Sequence, residues 1–183
     1  MPGMYFSSDT YRDSGQGYGL GMDTEAGFQL PGSFYQIDNA LLKRYMTNAC
    51  QNYLNRGFKL VIIVSGHNPA IQQSLMDEVC YAMKTDDGQE PVCFTMEYAV
   101  IARGHEKRHS DHAGFYETSM MQYLAGERVN MAANNNREVP YLAMTTTPCV
   151  EGANVDEGAL CFALQTEGLV ALAEKKLAAL LNK

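Results

Sequence analysis

A chain of 183 residues with 46% hydrophobic and 19% charged side chains has the size and balance of one globular domain that buries its own core. Its formal charge of −7 argues against nucleic acid or an anionic membrane surface as partner, since phosphate binding needs clustered Lys and Arg. Five cysteines with no CxxC pair exclude a secreted disulfide scaffold and a zinc ribbon, and Met1-Pro2-Gly3 carries neither the basic nor the apolar part of a leader, so a reducing, cytoplasmic setting is expected.

Residues 1–36 are rich in Gly, Ser, Tyr and Asp, with Gly15, Gly17, Gly19 and Gly21 alternating, which is loop chemistry. No strand precedes these glycines and no GxGxxG motif is formed, so a dinucleotide fold is not indicated. From Asp38 the pattern becomes helical. Leu41, Leu42, Tyr45, Met46, Ala49, Cys50, Tyr53 and Leu54 recur at helix spacing, Asp38 suits the N-cap and Gly57 the stop. Phe58 to Val64 reads as a strand whose unbroken aliphatic run fits a parallel strand buried on both faces. Pro69 suits the first turn of a second helix reaching about Lys84, with Leu75, Met76, Val79, Cys80 and Met83 inward. Thr85 to Gly88 is a turn, and Val92 to Val100 a second strand. A short helix over Thr118–Leu124, a strand near Tyr141–Thr145 and a helical tail over Asp156–Leu181, weakened by Gly158 and Gly168, complete the pass. Helices alternating with aliphatic strands predict an α/β layered fold with a mostly parallel sheet, in a single domain over residues 1–183. Cys50, Cys80 and Cys93 fall in apolar stretches and read as buried free thiols.

All four histidines sit in polar segments: His67, His105, His109 and His112. His67 stands just past the carboxyl end of the first strand, where open α/β sheets bind their ligands. It suits a metal or a substrate, or equally a hydrogen bond that closes a loop. His105-Glu106-Lys107-Arg108-His109 matches HExxH, the zinc-peptidase pattern, but no apolar stripe backs it, and a solvated charged loop is the plainer reading. Asp111-His112 is an oriented acid/base pair in a polar loop. Ala113-Gly114 permits close backbone approach, and Glu117 sits where a helix dipole favours a carboxylate. A capped helix following a loop accounts for the same residues without chemistry.

Taken together these segments resemble the creatininase family. Val61-Ile62-Ile63-Val64-Ser65-Gly66-His67 is similar to that family's aliphatic strand ending in Asn-Gly-His. Asp111-His112-Ala113-Gly114-Phe115-Tyr116-Glu117-Thr118-Ser119 is similar to its acidic residue, His-Gly/Ala-Gly, two variable residues and Glu-Thr-Ser. Leu30-Pro31-Gly32-Ser33 and Asp156-Glu157-Gly158 resemble two flanking motifs. The resemblance implies a three-layer α/β/α sandwich, usually a homo-hexamer, that hydrolyses cyclic or formamide-type amide bonds of small molecules with two divalent metals, zinc or manganese. By this resemblance His67 is a metal ligand, His112 the acid/base that passes a proton to the leaving nitrogen, Asp111 its neighbour and Glu117 a support from the helix start. The family's Glu, His and Asp ligands from its first strand and the following loop have no counterpart in residues 1–36, and Pro69 stands where some members carry a further Glu. The chain thus resembles a family member lacking the N-terminal ligand segment. His67 alone is too few ligands for a two-metal site.

Three readings follow. The first is a metal-dependent hydrolase of small amides. The second is a non-catalytic homologue that binds a small ligand or serves in an oligomer. With His67 the one expected ligand, these 183 residues by themselves are expected to show little or no amide hydrolysis. The third is a HExxH zinc peptidase.

Overall fold

The computed structural model describes residues 11–13, 18–20, 38–67, 70–101, 111, 113–132 and 150–182. They fall into two compact units, Met1–Met96 with Ala171–Lys183, and Glu97–Val170. The Leu30–Ser33 and Tyr141–Thr145 segments, Pro69, His105, His109 and His112 lie outside the described residues.

In the first unit, β1 (Tyr11–Asp13) and β2 (Tyr18–Leu20) pair antiparallel inside the Gly-rich stretch that reads as loop from sequence. Helix α1 (Asn39–Asn55) starts where Asp38 predicts: its Oδ1 accepts the Leu41 N–H at 2.9 Å, satisfying one orphan amide of the first turn. The helix ends in a Schellman turn. Gly57, at φ +91°, donates its N–H to the Leu54 carbonyl, Phe58 donates to the Tyr53 carbonyl, and the Phe58 ring meets the Tyr53 ring edge-on at 5.7 Å. Phe58 is therefore part of the helix stop, and the strand predicted from it begins three residues later. β3 spans Val61–Ser65 and pairs in parallel with β4 (Val92–Met96), Val61 opposite Val92 and Ser65 opposite Met96. The strand predicted to run on to Val100 stops at Met96, because Glu97–Val100 turn.

Between the strands runs α2 (Ala70–Ala82). Leu75, Met76, Val79 and Met83 are buried as the periodicity predicts, and Cys80 is half-buried. One core joins Cys50 of α1, Val61 of β3, Val79 of α2, Met83 just after it and Val92 of β4; a second joins Leu42, Leu75 and Met76. Parallel strands with helices packed on them match the α/β class read from sequence. The face assignment differs at the margins: Leu41 and Tyr45 of α1 and Val64 of β3 are exposed. Cys50, Cys80 and Cys93 are free thiols, as expected. Burial pushes the Cys80 thiol up to about 12, with the neighbouring Cys93 and Cys50 adding to it, and burial raises Cys50 and Cys93 as well.

In the second unit, α3 (Phe115–Ala125) continues into a 3-10 turn (Gly126–Arg128). Helix α4 (Val155–Leu181), of which the residues up to Val170 belong to this unit, runs 27 residues through both Gly158 and Gly168, which cost helix propensity but make close contacts. A Cβ at Gly158 would lie 2.0 Å from the Ser119 carbonyl oxygen, and one at Gly168 2.1 Å from that of Val100. The two glycines thus let the helix lie directly on neighbouring backbone. Among the described residues no helix is long and apolar enough to cross a membrane.

Candidate functional site

Two loops carry the residues singled out by sequence; motif side chains build the second, and a motif serine with one residue from α2 builds the first. The first is the turn after β3. Ser65, the last strand residue, is buried, and its hydroxyl donates to the His67 carbonyl at 2.6 Å. The same oxygen accepts the His67 N–H at 3.3 Å and the Gln72 Nε2 at 2.9 Å. Gln72 also donates to the His67 carbonyl at 2.7 Å. The backbone of Ser65-Gly66-His67 is thereby closed on itself and tied to α2, while the His67 residue is exposed. A Cβ at Gly66 would meet open space, so no steric demand from the described residues requires glycine there. Gln72 escapes a motif search. Its signal is positional: it is a polar residue on the apolar face shared with Leu75, Met76 and Val79, and a buried polar residue on such a face has to be hydrogen-bonded.

The second loop leads into α3. Asp111 is buried, and its carboxylate accepts three backbone N–H groups: Gly114 at 3.2 Å, Tyr116 at 2.8 Å and Glu117 at 3.1 Å. It satisfies the orphan amides at the start of α3 and puts a negative charge on the favourable end of the helix dipole. Gly114 is needed for this arrangement, since a Cβ there would lie 2.6 Å from Asp111 Oδ2. The small residue thus leaves room for this carboxylate. Ala113 takes φ +53°, a left-handed conformation rare outside glycine. It is held on both sides: its N–H donates to Glu117 Oε2 at 2.8 Å, and its carbonyl accepts the Thr118 hydroxyl at 2.9 Å.

The remaining motif residues fasten α3 to α4. Ser119, fully buried, accepts the Asn154 N–H on its hydroxyl at 3.2 Å, and Asn154 Oδ1 in turn accepts the Glu157 N–H at 2.9 Å to cap α4. Gly158 sits one residue on, in contact with the Ser119 backbone. Tyr116 is buried, with its hydroxyl hydrogen-bonded to Gln165. Burial first, and the charge of Glu97 second, raise its phenol well above the usual range. Gln165, Asn154 and Tyr116 carry no motif of their own in the sequence.

Of the two histidines given roles by the family resemblance, His112 lies outside the described residues, as do both histidines of the HExxH match. Among the described residues no group of three or more His, Cys, Asp or Glu side chains is placed to hold a metal. Asp111 and Glu117, the two described carboxylates of the motif, both accept backbone N–H groups. The described residues therefore do not by themselves fit a two-metal centre. A groove of about 450 Å³ along α1, lined by Tyr45, Asn48, Asn52 and Arg56 among others, contains none of the residues expected from sequence.

Residues 18–173 match the family model described as creatininase, creatinine amidohydrolase. No curated protein matches the chain. Among solved structures, a crystal structure of creatinine amidohydrolase (creatininase) is 13% identical, with a TM-score of 0.67, over 96% of this chain and 74% of that one. A mutant creatininase of Zn-Zn type is 14% identical with a TM-score of 0.62, covering 84% and 70%. A manganese creatininase is 16% identical with a TM-score of 0.61, covering 80% and 67%. At these identities the likeness shows the fold, and the chain has the α/β sandwich of those structures.

Proposed function

The chain belongs to the creatininase family, and from that membership we propose that it acts on small amides as a metal-dependent hydrolase, opening cyclic or formamide-type C–N bonds. The observation that carries the reading is the loop before α3. Its motif residues Asp111, Gly114, Glu117 and Thr118 are fastened to one another and to the helix start, on both sides of His112 in the sequence. A rigid loop that carries one basic side chain suits an acid/base, whose rate depends on where the ring is held. In this reading His112 passes a proton to the leaving nitrogen, Asp111 and Glu117 keep its loop in place, and His67 is a metal ligand. A divalent metal, zinc or manganese, would supply activated water and a polarised carbonyl. Its other ligands would have to come from outside the described residues. A homo-oligomeric assembly and a cytoplasmic setting belong to the same proposal, the latter supported by the free thiols.

A second reading has its own observation in favour. Asp111 and Glu117 both accept backbone N–H groups of their own loop and helix start, a role that a non-catalytic homologue would also need to keep its fold. One experiment separates the two. The protein is dialysed against zinc or manganese, its metal content is measured by mass spectrometry, and hydrolysis of creatinine and of formamide-type substrates is followed. Bound metal with turnover that is lost in His112→Ala and in His67→Ala supports the hydrolase. Neither metal nor turnover leaves the ligand-binding homologue standing, and turnover that survives chelation rules out the metal-dependent reading.

A further inference from the structure

We infer that Thr118 is a positioning residue for His112, acting through the backbone of Ala113. The inference rests on the reading of His112 as the acid/base of the site. A non-glycine residue at φ +53° stays there only when its surroundings hold it. Ala113 is gripped at both of its peptide units, the one before it through its N–H to Glu117 Oε2 at 2.8 Å and the one after it through its carbonyl to Thr118 Oγ at 2.9 Å. Fixing both peptide units fixes both torsions at the residue that directly follows His112. The two grips come from adjacent residues in the first turn of α3, so the helix itself dictates the course of the loop. Asp111, the residue directly before His112, is fastened to the same turn by its carboxylate.

Of the two grips, that of Thr118 is the harder to replace. Thr118 is buried, only 8% exposed, so water has little access to take over the bond if the hydroxyl is removed. Glu117 is more open, and its carboxylate competes with solvent. The hydroxyl also explains why the motif carries Thr rather than an aliphatic residue of the same shape at a buried helical position. Valine would pack equally well in α3 and would leave the Ala113 carbonyl without this partner.

The test compares Thr118→Val, which keeps the shape and loses the hydroxyl, with Thr118→Ser, which keeps the hydroxyl. The full chain is labelled with ¹⁵N-histidine, and the ring nitrogens are followed by NMR through a pH titration without metal or substrate. His112 is assigned from the signal missing in His112→Gln. The expected result is a displaced His112 signal with an altered titration midpoint in Thr118→Val, wild-type behaviour in Thr118→Ser, and His67 unmoved in both. Should Thr118→Val not fold, Thr118→Ala removes the hydroxyl without placing a methyl group in its space. His112 signals that coincide in the wild type and in the folded variant lacking the hydroxyl overturn the inference. So does a Thr118→Ser chain that behaves like the valine variant. Because the readout needs no turnover, a wild-type chain inactive on amides would sink the proposed function and leave this result standing on its own.

Discussion

The turn after β3 and the loop before α3 are both closed by side chains close to them in sequence, but by different means. The first uses neutral groups. One hydroxyl and one amide, Ser65 and Gln72, reach the carbonyl of His67, and the hydroxyl also accepts its N–H. The second uses charge. The Asp111 carboxylate alone holds three N–H groups, and Glu117 and Thr118 hold a residue in a left-handed conformation. Hydrogen bonds to an ionised acceptor contribute about twice as much as neutral ones, and a buried carboxylate serving several amides leaves all of them orphaned when removed. The difference teaches that the second loop is the more heavily determined of the two. Its charged acceptor serves several amides at once, whereas the first turn leaves His67 exposed above neutral bonds.

The contrast can be tested by substitution. The largest effect is expected where the second loop meets its platform. Gly158→Ala would push a methyl group against the Ser119 carbonyl, 2.0 Å away, and separate α3 from α4. A loss of roughly 4 kcal/mol in urea unfolding is expected, more than ordinary overpacking because the opposing atoms are backbone. A loss below about 1 kcal/mol would mean that the two helices yield easily. Next comes Asp111→Ala, expected to cost about 3 kcal/mol, since three amide groups lose their acceptor at a buried site. Ser65→Ala in the first turn should cost only about 1 kcal/mol, because Gln72 still reaches the His67 carbonyl. If the two alanine variants unfold at the same urea concentration, the contrast between the loops does not hold. The smallest effect carries the opposite sign. Ala113→Gly relieves the left-handed strain but adds freedom to the unfolded chain, for a net gain of about 0.5 kcal/mol. A destabilised glycine variant would indicate that the alanine methyl group makes contacts that outweigh its torsional strain.

How far each loop could be read from sequence follows from what holds it. The core of the first unit rests on apolar burial, which leaves a period in the chain. Leu75, Met76, Val79 and Met83 were therefore legible, as were the Asp38 cap and the Gly57 stop. Where periodicity misled, at Phe58, Leu41 and Tyr45, an apolar side chain served a helix stop or stood exposed. The loop before α3 has no period. Its residues are legible only as the motif shared with the creatininase family, and the motif does not say what each one holds. Gly114 reads as an opening for a ligand until the Asp111 carboxylate is seen filling the space. Gly158 and Gly168 read as weak points of a helix until the backbone lying against them is seen. Ser119, Asn154 and Gln165 bond across long sequence separations, for which local pattern offers no signal.

The buried thiols give the protein a built-in clock for its own opening. Cys50 and Cys93 lie in the core of the first unit and Cys161 in the second, each nearly or wholly shielded from solvent. A thiol reagent added in excess labels each one only as fast as its surroundings open. Mass spectrometry of the labelled peptides would then time the two units separately in a single sample, with no foreign probe introduced. Substitutions in the loop before α3 should quicken the clock at Cys161 and leave the one at Cys50 running at its own rate.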